Sequence, residues 1–411
     1  MSDATTGRGG WVLTALAFVA FISLGLPDAV LGVSWKVMRE VFGRPLDDVG
    51  WILLAGTGAY LLSSFFAGQM LSRVGVGWLL VGSCGLVTAG LWGNAVLPGS
   101  GGLAGGWWWL IPCAAVGGLG AGAIDAGLNA YGANHFSPRV MNWLHACWGI
   151  GATTGPAVMT AAVMQQSLMP GDGWRVGYGV LGVVLAVLTV LFVVTRKRWD
   201  MGSGPEAGGE PGISVWRAMG QGGVWMQAGV FFVYCGIEAS VGQLLLTLLA
   251  EGRGFSVAAA GYTVAAYWAA LTVGRIGFGQ VAAQVPAGRI LWIAVAGVML
   301  AAGALWVNGW LGGGMWLDVS AAVLLGVMLA PVFPTYMSIT PERLGKAVAA
   351  HAVGLQVSAA AVGIMVFPWL IAGLTRADAF GVRAETIAGA LVVLSGGLIV
   401  MHGACMSRAW R

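Results

Sequence analysis

The sequence predicts an all-α integral membrane protein, with twelve transmembrane helices in two pseudo-symmetric six-helix bundles. Of its 411 residues 58% are hydrophobic and only 9% are charged, whereas soluble globular proteins carry about 25% charged residues. Charge-free stretches recur along the whole chain, and several reach the about 20 residues that a helix needs to cross the hydrocarbon core. One long polar segment near the middle divides these stretches into two sets of six.

The twelve spans follow from the charge-free stretches and their interruptions. The stretch 74–124 has room for two crossings, because the glycine-rich segment Pro98–Gly106 interrupts it. Alternating strands of about ten residues, the pattern of a membrane β-barrel, are absent from the sequence. In chain order, the spans are predicted near 11–38, 48–72, 75–97, 106–134, 139–167, 174–195, 218–250, 256–283, 287–309, 315–339, 343–373 and 382–407.

The polar segment Arg196–Arg217 is predicted to be a flexible cytoplasmic linker, because its basic start leads into Gly, Pro and Glu residues. The domains are then 1–195 for the N-terminal bundle, 196–217 for the linker and 218–411 for the C-terminal bundle. With both termini cytoplasmic, most Lys and Arg residues lie on the cytoplasmic side, as the positive-inside rule requires. We expect a multi-pass protein of the inner (plasma) membrane.

Several other classes of protein are not indicated. The chain has an odd number of cysteines, without metal-binding spacing, and the net charge of +4 does not indicate a nucleic-acid partner. No His-Glu-x-x-His, Gly-x-Ser-x-Gly or phosphate-binding Gly-Lys-Ser motif is found. We therefore expect no enzyme and no cofactor. The expected partners are a small-molecule solute, protons and the lipid bilayer, and the expected state is a monomer.

Three carboxylates fall inside predicted spans and away from the span ends: Asp28, Asp125 and Glu238. A charged carboxylate at the bilayer centre costs at least about 2.5–3.5 kcal/mol on insertion scales, so it needs a wet cavity, a partner or a proton. A carboxyl group that loses water binds its proton more tightly, and solute binding can therefore change proton occupancy. These acids are candidates for proton coupling. The alternative is that each one bridges two helices through hydrogen bonds.

The stretch Ile124–Pro156 concentrates polar side chains in an apolar surrounding. Asp125 and Asn129 are four residues apart and share a helix face, and Asn142 and His145 are three apart on the next helix. His145 has two open interpretations: an imidazole that relays protons near neutral pH, or a neutral side chain that packs the two helices. The glycines that follow are predicted to let a neighbouring helix come close: Gly149, Gly151 and Gly155.

The first and seventh spans supply further candidates. Pro27 opens the helix beside Asp28, and Trp35 on the same face offers an aromatic plate that suits a sugar. The alternative for Trp35 is a membrane-interface residue. In the seventh span, Glu238 has one polar neighbour about one turn before it and another just over one turn after it. These neighbours are Tyr234 and Gln243.

Arg275 in the eighth span has two interpretations. The helix rise of 1.5 Å per residue from Ser256 places it close to the cytoplasmic boundary, where its head group would snorkel to water. An arginine deep in the membrane would instead indicate an anionic substrate. We expect Arg275 to lie close to the cytoplasmic boundary.

Sequence motifs point to a known family. The motif Gly68-x-x-x-Ser72-Arg73-x-Gly75 resembles the cytoplasmic motif between spans 2 and 3 of the major facilitator superfamily, with a serine where an acid is usual. Asp125-x-x-x-Asn129 followed by Met141-Asn142 resembles the pattern of fucose permease and its sugar:proton symporter relatives. Asp28 resembles the first-helix acid of that group. Two departures from the permease pattern are Ala130, where a proline is expected, and His145, where the permeases carry glutamine.

The resemblance implies a secondary active transporter with alternating access. We expect symport of a small polar solute, a sugar, with a proton; the alternative is a proton-driven exporter of amphipathic compounds. The candidate proton-coupling residues are Asp125, Asp28 and Glu238. The candidate substrate-binding residues are Asp28, Trp35, Asn129, Asn142, His145, Tyr234, Glu238 and Gln243.

The predicted orientation can be tested with reporter fusions. A reporter fused after Gly209 should be cytoplasmic, because the linker follows an even number of spans. A reporter fused after Gly102 should be external, because it follows three spans. Alkaline phosphatase and fluorescent-protein fusions report the two sides, and the opposite result at both positions would exclude this topology.

Overall fold

The structure is a computed structural model that describes residues 8–97, 106–136, 138–165, 172–199, 215–281, 284–312, 314–377 and 384–407. Within these ranges every regular element is a helix. The chain divides into two compact units. The first comprises Met1–Arg44 and Trp51–Pro205, and the second comprises Pro45–Gly50 and Glu206–Arg411. Most of the predicted linker, residues 200–214, lies outside the described part.

The first unit contains the six predicted N-terminal spans. Its first span is divided into two helices, and its second and third spans form one continuous element with a turn inside. The helices are α1 (Arg8–Asp28), α2 (Val30–Val41), α3 (Val49–Val96), α4 (Leu110–His135), α5 (Pro138–Met164) and α6 (Gly173–Thr195).

Two local features explain the divisions in this unit. Helix α1 ends at Asp28 directly after Pro27, because proline lacks the N–H that continues the hydrogen-bond ladder. Within α3, Gly75 has φ 76° and ψ 164°, a backbone conformation that glycine adopts without steric cost. Gly75 therefore separates the second span from the third, and Asp28 is placed at a break in the first.

The second unit contains a short helix and the six C-terminal spans. Helix α8 continues into a π turn, Leu248–Gly252, and the tenth span is divided at Pro331 into two helices. The helices are α7 (Val215–Met219), α8 (Gly222–Thr247), α9 (Val257–Val281), α10 (Ala287–Leu311), α11 (Met315–Leu329), α12 (Val332–Leu344), α13 (Lys346–Ala377) and α14 (Glu385–Met406).

The predicted architecture of twelve transmembrane helices is confirmed. In the described part of the chain, ten segments are long and apolar enough to cross a membrane. They correspond to all predicted spans except the second and the fifth, and these two are helical as the first part of α3 and as α5. The largest difference from the predicted bounds is in the tenth span, which ends at Leu344 instead of 339.

Glycines bring the helices of the first unit into backbone contact. A Cβ atom on Gly151 of α5 would lie 1.9 Å from the carbonyl oxygen of Ile22, and one on Gly155 would lie 2.1 Å from that of Leu26. The predicted close approach at these two glycines is confirmed, and the neighbouring helix is α1. Glycines in α4 make equally close contacts with the second span, where a Cβ atom on Gly118 would lie 2.1 Å from the carbonyl oxygen of Gly56.

A buried ion cluster links four parts of the second unit. The Arg253 guanidinium donates to both carboxylate oxygens of Glu385, at 2.7 and 2.8 Å, and to the carbonyl oxygen of Leu305 at 2.7 Å. It also pairs with Asp318. All three charged side chains are at least nine-tenths buried. The cluster therefore ties the segment after α8 to α10, α11 and α14. It was not predicted from the sequence.

Arg253→Gln should lower thermal stability strongly, because it leaves two buried carboxylates without their cation. Removing one partner from a buried pair costs about 3–5 kcal/mol. The matched control is Arg376→Gln, since the Arg376 side chain is 60% exposed and pairs with Asp47 at 3.0 Å. An exposed pair contributes about 0–1 kcal/mol. Thermal unfolding of the purified protein in detergent measures both, and equal shifts would contradict the structural role of the cluster.

Candidate functional site

Asp125 is held by two donors in the first unit. The Tyr60 hydroxyl donates to one carboxylate oxygen at 2.6 Å, and the Asn129 side-chain amide donates to the other at 2.9 Å. The Asp125 side chain is half-buried in α4. Asp125 and Asn129 therefore share a helix face as expected, and Tyr60 of α3 completes the arrangement.

The contact between Tyr60 and Asp125 depends on a glycine one turn earlier in α4. A Cβ atom on Gly122 would lie 2.2 Å from the carbonyl oxygen of Tyr60 and 2.4 Å from the hydroxyl oxygen of Ser63. Only a glycine allows α4 and the second span to come this close. Tyr60 was not predicted from the sequence, because a tyrosine in an apolar span gives no periodic signal.

Asp28 lies at the break between α1 and α2, where it accepts a hydrogen bond from the Trp148 indole N–H of α5 at 2.7 Å. The Asp28 side chain is exposed and the Trp148 ring is half-buried. The carboxylates of Asp28 and Asp125 are near enough to interact electrostatically. The structure therefore brings these two predicted acids together in the first unit, and Trp148 is a partner that the sequence analysis did not find.

The other predicted residues of the first unit are placed differently. The Trp35 ring is only 1% exposed, so it belongs to the packed interior of the unit. Next to it, the hydroxyl groups of Ser34 and Tyr178 are 3.1 Å apart and join α2 to α6. The side chains of Asn142 and His145 lie outside the described part of the structure, although the backbone of α5 is described on both sides of them.

Glu238 is the centre of a polar cluster in the second unit. The Tyr234 hydroxyl donates to a Glu238 carboxylate oxygen, and the Arg275 guanidinium lies 3.5 Å from the same oxygen. The Tyr267 hydroxyl donates to the Glu238 backbone carbonyl at 3.0 Å. The predicted contact of Tyr234 with Glu238 is present. Gln243 is buried about one turn further along α8.

The head group of Arg275 is not in the expected environment. We expected it to reach water at the cytoplasmic boundary, but its guanidinium pairs with Glu238, about midway along α8. The expectation failed because the helix rise gives the depth of the backbone only. A long side chain can extend along the membrane normal to reach an acid on a neighbouring helix.

A third polar cluster was not predicted from sequence. The Thr340 hydroxyl donates to the Gln227 side-chain oxygen at 2.9 Å, and the Gln356 side-chain amide lies 3.0 Å from the Thr340 hydroxyl. All three side chains are fully buried, and together they connect α8, α12 and α13. Hydrogen bonds within such a cluster satisfy polar groups that lipid cannot. We assign it to helix packing.

The arrangement of helices and intramembrane polar clusters defines a helical membrane transporter. The family model of the Major Facilitator Superfamily matches residues 13–368. The chain belongs to the major facilitator superfamily. No curated protein matches its sequence.

Solved structures share the fold at low sequence identity. The nucleoside transporter NupG, in a mutant form, superposes with a TM-score of 0.74 at 12% identity, covering 95% of this chain and 99% of that chain. A D-xylose-proton symporter superposes with a TM-score of 0.73 at 14% identity, covering 94% of this chain and 97% of that chain. A mutant peptide transporter POT in complex with sulfate superposes with a TM-score of 0.72 at 16% identity, covering 98% of this chain and 96% of that chain.

Gly25→Ala should destabilise the first unit and disturb the site. Its new Cβ atom would lie 2.1 Å from the Trp148 carbonyl oxygen, so α1 and α5 must separate at the level of Asp28. Overpacking of this kind typically costs about 1–3 kcal/mol. Thermal unfolding in detergent measures the change.

The matched control for this prediction is Gly117→Ala, because a Cβ atom there meets nothing within 4 Å. Replacing a helical glycine by alanine without strain stabilises by about 0.5–1 kcal/mol. The two alanine substitutions should therefore shift the unfolding temperature in opposite directions. A shift in the same direction for both would show that the glycine contact does not hold these helices together.

Proposed function

We propose that this protein is a secondary active transporter that moves a small polar solute, a sugar, by symport with a proton and by alternating access. We place it in the inner (plasma) membrane with both termini in the cytoplasm. The observation that carries the proposal is the Asp125 carboxylate, which lies half-buried in a membrane helix between the Tyr60 and Asn129 donors. A second carboxylate, Asp28, lies within electrostatic range.

Asp125 is the proton carrier in this proposal, and its two partners determine where the proton binds. The Asn129 amide nitrogen can only donate, so the carboxylate oxygen that it contacts must remain an acceptor. The Tyr60 hydroxyl can both donate and accept. A proton on the oxygen that faces Tyr60 is therefore accommodated when the hydroxyl rotates, without any movement of the helices.

Asp28 is the substrate-binding acid in this proposal. Its exposed carboxylate offers hydrogen-bond acceptors to hydroxyl groups, and the Trp148 ring beside it offers an apolar face to the C–H side of a sugar ring. Because the Trp35 ring is buried, Trp148 takes the aromatic role that the sequence analysis gave to Trp35. In the first unit, Asn129, Asn142 and His145 remain proposed substrate-binding residues. In the second unit, Tyr234, Glu238 and Gln243 remain proposed substrate-binding residues.

The similar structures support the fold. The solute is inferred from the residues of this chain. Their names state a nucleoside, D-xylose with a proton, and a peptide as the transported solutes of those proteins. An exposed carboxylate with an adjoining aromatic ring favours a hydroxyl-rich solute over an amphipathic one. We therefore prefer sugar symport to the export of amphipathic compounds.

Asp125→Asn should abolish accumulation driven by a pH gradient while leaving substrate exchange intact, because asparagine imitates the protonated acid and cannot release a proton. The measurement is uptake of a panel of radiolabelled sugars into proteoliposomes, first with an imposed pH gradient and then as counterflow at equal pH. Wild-type protein should accumulate at least one sugar. Efflux of an amphipathic dye without uptake of any sugar would support the exporter instead.

The contrasting variant is Asp28→Asn, which should weaken counterflow as well as accumulation, because it removes a substrate contact. Accumulation by Asp125→Asn against the solute gradient, with only the pH difference as a driving force, would show that the assigned division of roles is wrong.

A further inference from the structure

One face of α6 is an apolar stripe that the described part of the chain leaves uncovered. Valines recur along it every three or four residues, and each is between 38% and 73% exposed: Val176, Val180, Val183, Val187, Val190 and Val194. The opposite face of the helix is buried. Because the segment Gly173–Arg198 is apolar and long enough to cross a membrane, an exposed stripe along it faces the acyl chains of lipids.

The valine stripe is about as long as the hydrocarbon core is thick. From Val176 to Val194 the helix rises about 27 Å, at 1.5 Å per residue, and the core of a bilayer is about 30 Å thick. The residues just beyond each end of the stripe therefore lie at the level of the lipid phosphates. At one end this residue is Arg175. At the other end it is the basic turn Arg196–Arg198, a single 3₁₀ turn that follows α6.

The positive charges at the two ends of the stripe differ in their partners. Arg175 pairs with Asp172 at 2.6 Å. In the basic turn, Lys197 and Arg198 are exposed, and neither pairs with a carboxylate of the described residues. The basic turn thus presents two positive charges at the level of the lipid phosphates.

Contacts on both sides hold the basic turn in place. A Cβ atom on Gly77 of α3 would lie 2.0 Å from the carbonyl oxygen of Arg196, so the third span touches the backbone of the turn. The Arg196 guanidinium lies over the Trp78 ring, 5.2 Å from its centroid. The residue that follows the turn, Trp199, is buried, and its indole N–H donates to the Thr195 hydroxyl at 3.1 Å. A cation on a fixed backbone loses less conformational entropy when it binds an anion.

The third span adds an aromatic side chain beside the basic turn. The Trp78 side chain is 57% exposed, and tryptophan is enriched at the boundary between lipid chains and head groups. Along the membrane normal, this side of the first unit therefore offers the valine stripe, an aromatic ring and then two cations. A phospholipid has the matching order of acyl chains, glycerol region and phosphate.

We propose that the basic turn binds the head group of an anionic phospholipid, with Lys197 and Arg198 on its phosphate and the valine stripe along its acyl chains. Each basic residue near an anionic membrane surface strengthens binding by about fivefold. A soluble phosphate could use the two cations but not the stripe. The lipid is a partner in addition to the transported solute, so its binding does not depend on the proposed transport function.

Native mass spectrometry of the purified protein tests this proposal. Phosphatidylglycerol and phosphatidylcholine with identical acyl chains are titrated separately, and the bound lipids are counted. Wild-type protein should bind phosphatidylglycerol more tightly. Lys197→Gln/Arg198→Gln should lower the affinity for phosphatidylglycerol by at least about fivefold, because it removes two cations. The same variant should leave the affinity for phosphatidylcholine unchanged.

The matched control is Arg217→Gln/Arg289→Gln, which removes the same amount of charge from two exposed arginines of the second unit. It should leave phosphatidylglycerol binding unchanged. Lys197→Arg/Arg198→Lys exchanges the two cations and should bind as the wild type does. If the double glutamine variant does not fold, Lys197→Gln changes one exposed side chain and should show part of the loss.

Four results would overturn the proposal. The first is equal affinity of wild-type protein for the two lipids, and the second is unchanged phosphatidylglycerol binding in the Lys197 and Arg198 variants. The third is an equal loss in the control variant, which would show that only the total charge matters. The fourth is displacement of phosphatidylglycerol by an equal concentration of sn-glycerol 3-phosphate, which would indicate a site for soluble phosphate.

Discussion

Backbone contact between helices at glycine positions is the constraint on which the polar site of the first unit depends. Gly25, Gly151 and Gly155 bring α1 and α5 together, and Gly122 brings α4 against Tyr60. The hydrogen bonds of 2.6 and 2.7 Å between these aspartates and side chains on neighbouring helices require such an approach. Asp28 therefore reaches Trp148, and Asp125 reaches Tyr60, because glycines, which have no side chain, lie where the helices cross. Close packing also stabilises helix association inside lipid, where no hydrophobic driving force acts between helices.

Asp28, Asp125 and Glu238 each accept a hydrogen bond from an aromatic side chain. Trp148 donates through its indole N–H, and Tyr60 and Tyr234 donate through phenolic hydroxyl groups. An aromatic donor carries an apolar ring with one polar atom, so it enters a membrane span at little cost and still satisfies a carboxylate. The same three acids also contact donors of other kinds, the Asn129 amide and the Arg275 guanidinium, whose charge is tolerated because Glu238 neutralises it. Each of these acids thus has an aromatic donor among its partners.

The sequence predicted the helices well and their partners poorly, for physical reasons. Span positions follow from hydropathy, which is a property of each segment alone, and the break at Pro27 follows from a missing N–H. The partners depend on which helices adjoin and at what height, and a single sequence does not record this. Trp148 and Tyr60 therefore went unnoticed. The pairing of Arg275 with Glu238 was missed because the depth of Arg275 was measured along its own helix, and the Arg253 cluster was missed because its members are far apart in sequence.

The two arginine clusters of the second unit differ in how completely they are enclosed. Arg253 lies among two carboxylates and a carbonyl with almost no exposure, so a loss of either carboxylate there would leave a buried charge poorly compensated. Arg275 lies 3.5 Å from a Glu238 carboxylate oxygen, and its side chain is 24% exposed. Both cations are tolerated among apolar helices because carboxylates neutralise them. Only the Arg253 cluster is sealed by the helices that pack around it.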